Sequence, residues 1–171
     1  MTPTDFIAAV APGAIVTQLR TGVPAGFTIA QAALESGWGT SGLAQAPANN
    51  LFGIKATVDW KGRTVDLPTH EWVCGQMVQC VAHWRAYDSW GDSLLDHAAF
   101  LTGNPRYHAA FAHTDDSAEF ARAVAAAGYA TDPAYADKVI ATMRAHNLAQ
   151  YDRPVTVGDA PPADGTAPVN F

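Results

Sequence analysis

Cysteine is scarce in this chain. Only Cys74 and Cys80 occur in 171 residues, too few for a disulfide framework or a cysteine-based metal set. If the segment between them turns at Cys74-Gly75 or Gly75-Gln76, the two thiols do not stand opposite each other. A bridge then needs a wider or distorted loop, so the spacing favours free thiols. Charge is also scarce: charged residues make up 15% and the net charge is −6, with a pI near 5.3. That balance lacks the basic patch of a nucleic-acid binder and gives no long-range attraction to an anionic surface. No apolar run reaches the length of a membrane span. No secretion leader is visible, because Asp5 is acidic and Pro12-Gly13 interrupts the run from Phe6 to Val16. Phosphate loop, nucleotide fingerprint and serine nucleophile elbow are all missing. His70-Glu71 is followed by Trp72-Val73-Cys74, so no His-Glu-x-x-His pair forms, and neither metal nor cofactor is expected. No internal repeat is present.

What the chain does have is apolar residues. At 49% hydrophobic it can build one sizeable core. Thr2 or Thr4 caps a first helix holding Phe6, Ile7 and Val10 on one side, and Pro12 is expected to kink or restart it. Pro24 falls at the first turn of a second helix, which Gly37 and Gly39 end. A short helix over Ser41 to Gln45 and a loop through Ala46-Pro47-Ala48-Asn49-Asn50 follow. From Thr64 to Val73 the period becomes two, and Met77 to Tyr87 makes a second strand, with Gly75 marking a hairpin turn and Pro68 an edge strand. Helices resume from Trp90 to Leu101 behind Ser89, and from Ala118 to Ala127 behind Asp115, Asp116 or Ser117. Asp132-Pro133 opens a last helix running to about Asn147, with Tyr135, Val139, Ile140 and Met143 as its apolar face. The fold class is therefore α+β, mostly helical with a small inserted β-hairpin lobe. Residues 1–151 read as one domain, and 152–171, rich in Pro, Gly, Asp and Ala, as a flexible tail or linker stub.

One stretch organises the rest: Ala30-Gln31-Ala32-Ala33-Leu34-Glu35-Ser36-Gly37-Trp38-Gly39. On a helical period Phe27, Ala30, Leu34 and Trp38 share an apolar stripe, and Glu35 lies on its edge. A carboxylate there is costly to ionise, and the negative pole of the helix end acts in the same direction. That combination turns a glutamic acid into a proton donor near neutral pH. The competing reading is a glutamate at a helix end that simply reaches water.

The same stretch, with Ser41-Gly42-Leu43-Ala44 and Asn49-Asn50-Leu51-Phe52-Gly53-Ile54-Lys55, resembles the peptidoglycan glucosaminidases of glycoside hydrolase family 73. The likeness resumes at Arg85-Ala86-Tyr87, Asp96-His97 and Gly128-Tyr129-Ala130-Thr131-Asp132-Pro133, covering roughly residues 4 to 147. The resemblance implies a lysozyme-like domain that cleaves the β-1,4 bond on the reducing side of N-acetylglucosamine. It makes Glu35 the acid, Glu71 on the hairpin the second carboxylate, and Tyr129 a further active-site group. Asp59 and Asp66 are weaker candidates for the second carboxylate, as turn and surface charges.

For sugar binding, Asn49 and Asn50 offer amides, while Phe52, Trp60 and Trp72 offer apolar faces; Thr131 joins them through its motif. Trp38 is expected to pack beneath the acid. Asp96 and His97 are read as structural. Inverting, retaining and substrate-assisted routes all remain open. A lytic transglycosylase or muramidase on the same fold, and a non-catalytic wall-binding module, are the competing functions. The expected partner is the peptidoglycan glycan strand, met by a monomer at the cell wall, with no nucleic acid. Export is then by a route without a leader, or through phage lysis.

Overall fold

The computed structural model describes residues 1–73 and 76–153, with residues 69–73 described by backbone alone. Helix α1 (Pro3–Thr21) starts at a capping box in which Thr2 Oγ1 accepts from the Asp5 amide at 3.2 Å and the Asp5 carboxylate answers to the Thr2 backbone. The helix runs on through Pro12 without a restart. The ring sits on the exposed face, with Ala8 also exposed, so water can serve the carbonyl that loses its partner there.

Helix α2 (Ala25–Ser36) is the centre of the molecule. Every residue from 25 to 33 is buried, so the helix is enclosed on all sides instead of carrying one apolar stripe. Leu34, expected on that stripe, is 37% exposed, because it lies in the last turn, beyond the enclosed residues 25–33. Pro24 is the N-cap and not a first-turn residue, and it offers no capping side chain. The orphan amides are met from elsewhere: Gln18 Oε1 accepts from Ala25 and Asp152 Oδ1 from Gly26, at 3.3 and 2.7 Å. Gly26 is there because a Cβ would stand 2.9 Å from the Leu148 carbonyl oxygen. Three left-handed residues in a row, Gly37, Trp38 and Gly39 at φ 57°, 58° and 72°, end α2 after Ser36, within a turn of Glu35. The Trp38 ring stands edge-on to Phe6 at 5.9 Å and to His146 at 4.8 Å.

A short 3₁₀ helix, Gly42–Ala44, leads into the β-lobe. Strands β1 (Thr64–Val73) and β2 (Gln76–Arg85) pair antiparallel, with Thr64 opposite Arg85 and Val73 opposite Gln76. Both strands of this two-stranded sheet are edges, which accommodates Pro68. Cys80 stands opposite Thr69 and carries a free thiol; Cys74 lies outside the described residues. Helix α3 (Trp90–Gly103) is capped by Ser89, and α4 (Ser117–Ala126) by Asp116. A 3₁₀ segment, Pro105–His113, links them. Helix α5 (Tyr135–Ala145) begins later than the Asp132-Pro133 signal implies, because Asp132 Oδ1 accepts from Ala134 at 2.9 Å and caps a preceding turn. The chain then closes through Leu148–Tyr151. Arg153 and Gln18 exchange two hydrogen bonds at 3.0 Å. The expected tail beyond residue 153 lies outside the described residues. The core packs α2 between α1, α4 and α5, with Phe27 against Phe120 at 4.9 Å. Among the described residues no helix is long and apolar enough to cross a membrane, and no acidic, histidine and cysteine cluster could hold a metal.

Candidate active site

Helix α2 delivers Glu35 to the wall of a groove of about 500 Å³, lined also by Phe52, Ile54, His97, Tyr129 and Thr131. The residue remains accessible to solvent, as a proton donor facing a groove has to be. Burial around its carboxyl nonetheless raises its pKa above the ordinary value, and the Tyr135 hydroxyl acts the other way with less effect. That hydroxyl donates to Glu35 Oε1 at 2.9 Å and itself accepts from Gln31 Nε2 at 2.7 Å. Gln31 lies one turn before Glu35 on α2 and is fully buried.

Tyr129 follows Gly128, whose φ of 80° makes the turn out of α4. Its ring stacks on Tyr135 with centroids 5.5 Å apart, and its hydroxyl lies 3.1 Å from His97 Nε2. Burial first, then the charge of Glu35, pushes its pKa up, so the phenol keeps its proton. Tyr129 thus shares the groove with the acid, while Tyr135 is the residue that touches it. His97 is buried on α3, and its ring lies flat on Phe52 at 3.8 Å. Burial pushes its pKa down to about 3, so the ring is neutral and not a charge in the groove.

The remaining expected residues divide. Phe52 and Thr131 line the groove. Asn50 does not offer its amide to a sugar. It is 1% exposed, and the side chain donates to the Ile54 and Arg85 carbonyls, both at 2.9 Å, and accepts from the Ile54 amide. Asn49 likewise donates to the carbonyls of Tyr87 and Asp88, at 3.0 and 3.3 Å. Both shape the loop that presents Phe52. Trp60 is away from the groove, its indole donating to the Arg63 carbonyl and its ring beneath the Arg85 guanidinium at 4.5 Å. Asp59 is exposed, and Asp66 pairs with His83 at 2.6 Å. Glu71 pairs with Val78, the third pair from the hairpin tip; its side chain and that of Trp72 lie outside the described residues. Asp96 anchors the hairpin base as a structural residue, accepting from Arg85 and from the Tyr87 hydroxyl at 2.7 Å. A second depression of about 400 Å³, near Asp116, Met143 and Arg144, holds none of the expected site residues.

Sequence reasoning missed Tyr135, Gln31 and the place of His97 in the groove wall. One signal was available: Gln31 is a polar residue four positions before Glu35 in a stretch of alanines.

The model of the glucosaminidase family, described as mannosyl-glycoprotein endo-beta-N-acetylglucosaminidase, matches residues 11–148. The peptidoglycan hydrolase FlgJ of Vibrio parahaemolyticus is 41% identical over 140 residues, 81% of this chain and 46% of the relative. The exo-glucosaminidase LytG of Bacillus subtilis is 42% identical over 130 residues, 74% of this chain and 45% of the relative. The chain thus spans less than half the length of these curated relatives. Among solved structures, a C-terminally truncated glycoside hydrolase domain of Salmonella typhimurium FlgJ superposes with a TM-score of 0.73 at 38% identity, covering 85% of this chain and 98% of that one. The catalytic domain of the autolysin Auto from Listeria monocytogenes gives 0.79 at 31% identity, covering 88% and 87%. A match along most of the chain, on a fold that sets Glu35 in an aromatic groove, leaves one conclusion: the chain belongs to the glucosaminidase family, glycoside hydrolase family 73.

Proposed function

We propose that residues 1–151 form a metal-free endo-β-N-acetylglucosaminidase that hydrolyses peptidoglycan at the cell wall, as a monomer, on the reducing side of N-acetylglucosamine. The observation that carries this reading is the Glu35 carboxyl, desolvated by its surroundings and set in a groove walled by Phe52 and Tyr129. Such an acid holds its proton at higher pH than a free glutamic acid and can release it to a glycosidic oxygen. In the reaction the C1–O4 bond breaks, the Glu35 proton goes to the departing O4, and water supplies the hydroxyl at C1. Overall, the second proton of that water restores the acid.

Glu71 is proposed as the second carboxylate. It belongs to the alternating row Val65, Leu67, Thr69, Glu71, whose first two members pair with Trp84 and the buried Ala82. A carboxylate in that row completes the pair either as base, as nucleophile, or by orienting the substrate's own acetamido group. Tyr129 is proposed to hydrogen-bond substrate or water with its retained proton, and Thr131 to contact sugar hydroxyls. The names of FlgJ and LytG support the substrate class.

The test is digestion of purified sacculi with mass spectrometry of the released fragments. Wild-type protein gives reducing N-acetylglucosamine ends, and Glu35→Gln gives none. Undiminished lysis by Glu35→Gln rejects the assignment of the acid. Anhydromuramic ends would make the protein a transglycosylase, and reducing muramic ends a muramidase. Retention on sacculi without soluble fragments would make it a binding module.

A further inference from the structure

We propose that Tyr135 is a positioning residue that holds the acid proton of Glu35 on Oε2, through a hydrogen-bond chain that begins at Gln31 and runs in one direction. The inference rests on Glu35 being the acid. Glu35 Oε1 has one protein partner, the Tyr135 hydroxyl at 2.9 Å, and among the described residues Oε2 has none. A phenol has a single proton, so whether it gives that proton to Glu35 depends on what its oxygen receives. It receives the Gln31 amide at 2.7 Å. Gln31 lowers the cost of charge on the Tyr135 phenol, though burial outweighs it. That orientation of the amide leaves Gln31 Oε1 without a partner.

Three consequences follow in order. The Gln31 NH₂ fixes the Tyr135 oxygen as an acceptor. The Tyr135 proton is thereby aimed at Glu35 Oε1. Oε1 then behaves as the carbonyl oxygen of the protonated acid, and the transferable proton stands on Oε2. Tyr135 keeps its own proton throughout, since burial raises its pKa. The chain sets the rotation of the carboxyl as well as the side from which the proton leaves, and both are needed for transfer to a fixed glycosidic oxygen. A structural role is the competing account, because the Tyr135 ring also stacks on Tyr129.

The two accounts separate in the pH–rate profile of the full chain on soluble peptidoglycan glycan fragments. Tyr135→Phe keeps the ring and the stack and removes the hydroxyl. The expected result is a fall in kcat of about tenfold, a KM within about twofold, and an alkaline limb moved to higher pH. The limb moves up because the bond that favoured the carboxylate is gone while the desolvation remains. Gln31→Leu leaves the Tyr135 ring unchanged but frees its oxygen to accept from protonated Glu35 instead of donating to it, and should move the same limb in the same direction by less. Thermal melts identify which variants fold, and either one suffices. An alkaline limb that stays put in whichever variant folds, or a loss confined to KM, overturns the proposal. If Glu35→Gln keeps full activity, the hydrolase reading fails. If Glu35→Gln is inactive and Tyr135→Phe matches wild type, only the present inference fails.

Discussion

Nη1 of Arg85 donates to both carboxylate oxygens of Asp96, at 3.0 and 2.7 Å, and so ties the end of β2 to the middle of α3. The pair is mostly shielded, with side chains 16% and 21% exposed. Removing one partner strands the other in a poorly hydrated place. Asp96→Asn should therefore lower stability by about 2 kcal/mol in urea unfolding. It should also speed hydrogen exchange along β2 more than along α2, because the β-lobe has few other anchors.

Buried neutral, His97 makes stability depend on pH. Its folded pKa of about 3 lies below the ordinary value near 6.5, so the unfolded chain binds the extra proton first. The favourable contribution is fully present above about pH 6.5 and is lost as pH falls toward about 3, at no more than about 1.4 kcal/mol per unit. Urea midpoints between pH 7 and 4 should fall more steeply for wild type than for His97→Gln.

Glu35 has the opposite sign. Burial raises its folded pKa, so ionising it as pH rises costs the folded state more than the unfolded one. Glu35→Gln should melt at a higher temperature than wild type at pH 8, with the gap narrowing toward pH 4. Equal melting temperatures at pH 8 would mean that the acid is not desolvated.

Removing the Tyr129 hydroxyl should slow the reaction more than it loosens the fold. The stack on Tyr135 survives Tyr129→Phe, but the buried His97 Nε2 loses its partner, so a stability loss of about 1–2 kcal/mol is expected, while kcat falls by about 10²-fold. Steady-state kinetics on soluble glycan fragments measures this directly.

Gly26→Ala tests how tightly α2 is enclosed. The added Cβ would meet the Leu148 carbonyl oxygen at 2.9 Å and its carbon at 3.1 Å. Backbone cannot swing away as a flexible side chain can, so a loss of about 1–3 kcal/mol is expected in urea unfolding, although alanine favours helices.

Local signals were legible in the sequence because their chemistry is local. Thr2, Ser89 and Asp116 cap the helices they precede, and Gly37 ends α2 in the left-handed conformation. Alternation placed both strands within a residue or two of their ends. Glu35, Phe52, Tyr129 and Thr131, singled out by their motifs, line one groove. Tyr135 was hidden because a tyrosine on a 3.6-residue stripe looks like core, and core it partly is. Only the packing of α5 on α2, across a hundred residues of chain, shows what its hydroxyl meets. Asn50 misled for a related reason. An amide next to an active-site loop reads as a sugar ligand until the Arg85 carbonyl, distant in sequence, is seen to use it.

Alanines at positions 25, 30, 32 and 33 bring neighbouring backbones close around α2. That wall is already filled, so a larger side chain along it forces its surroundings to shift. Divergence toward a different glycan is thereby channelled to the rim. At the groove's edge Thr131 can change size or charge while Glu35, Tyr129 and Tyr135 keep their places, which separates the evolution of specificity from the upkeep of chemistry.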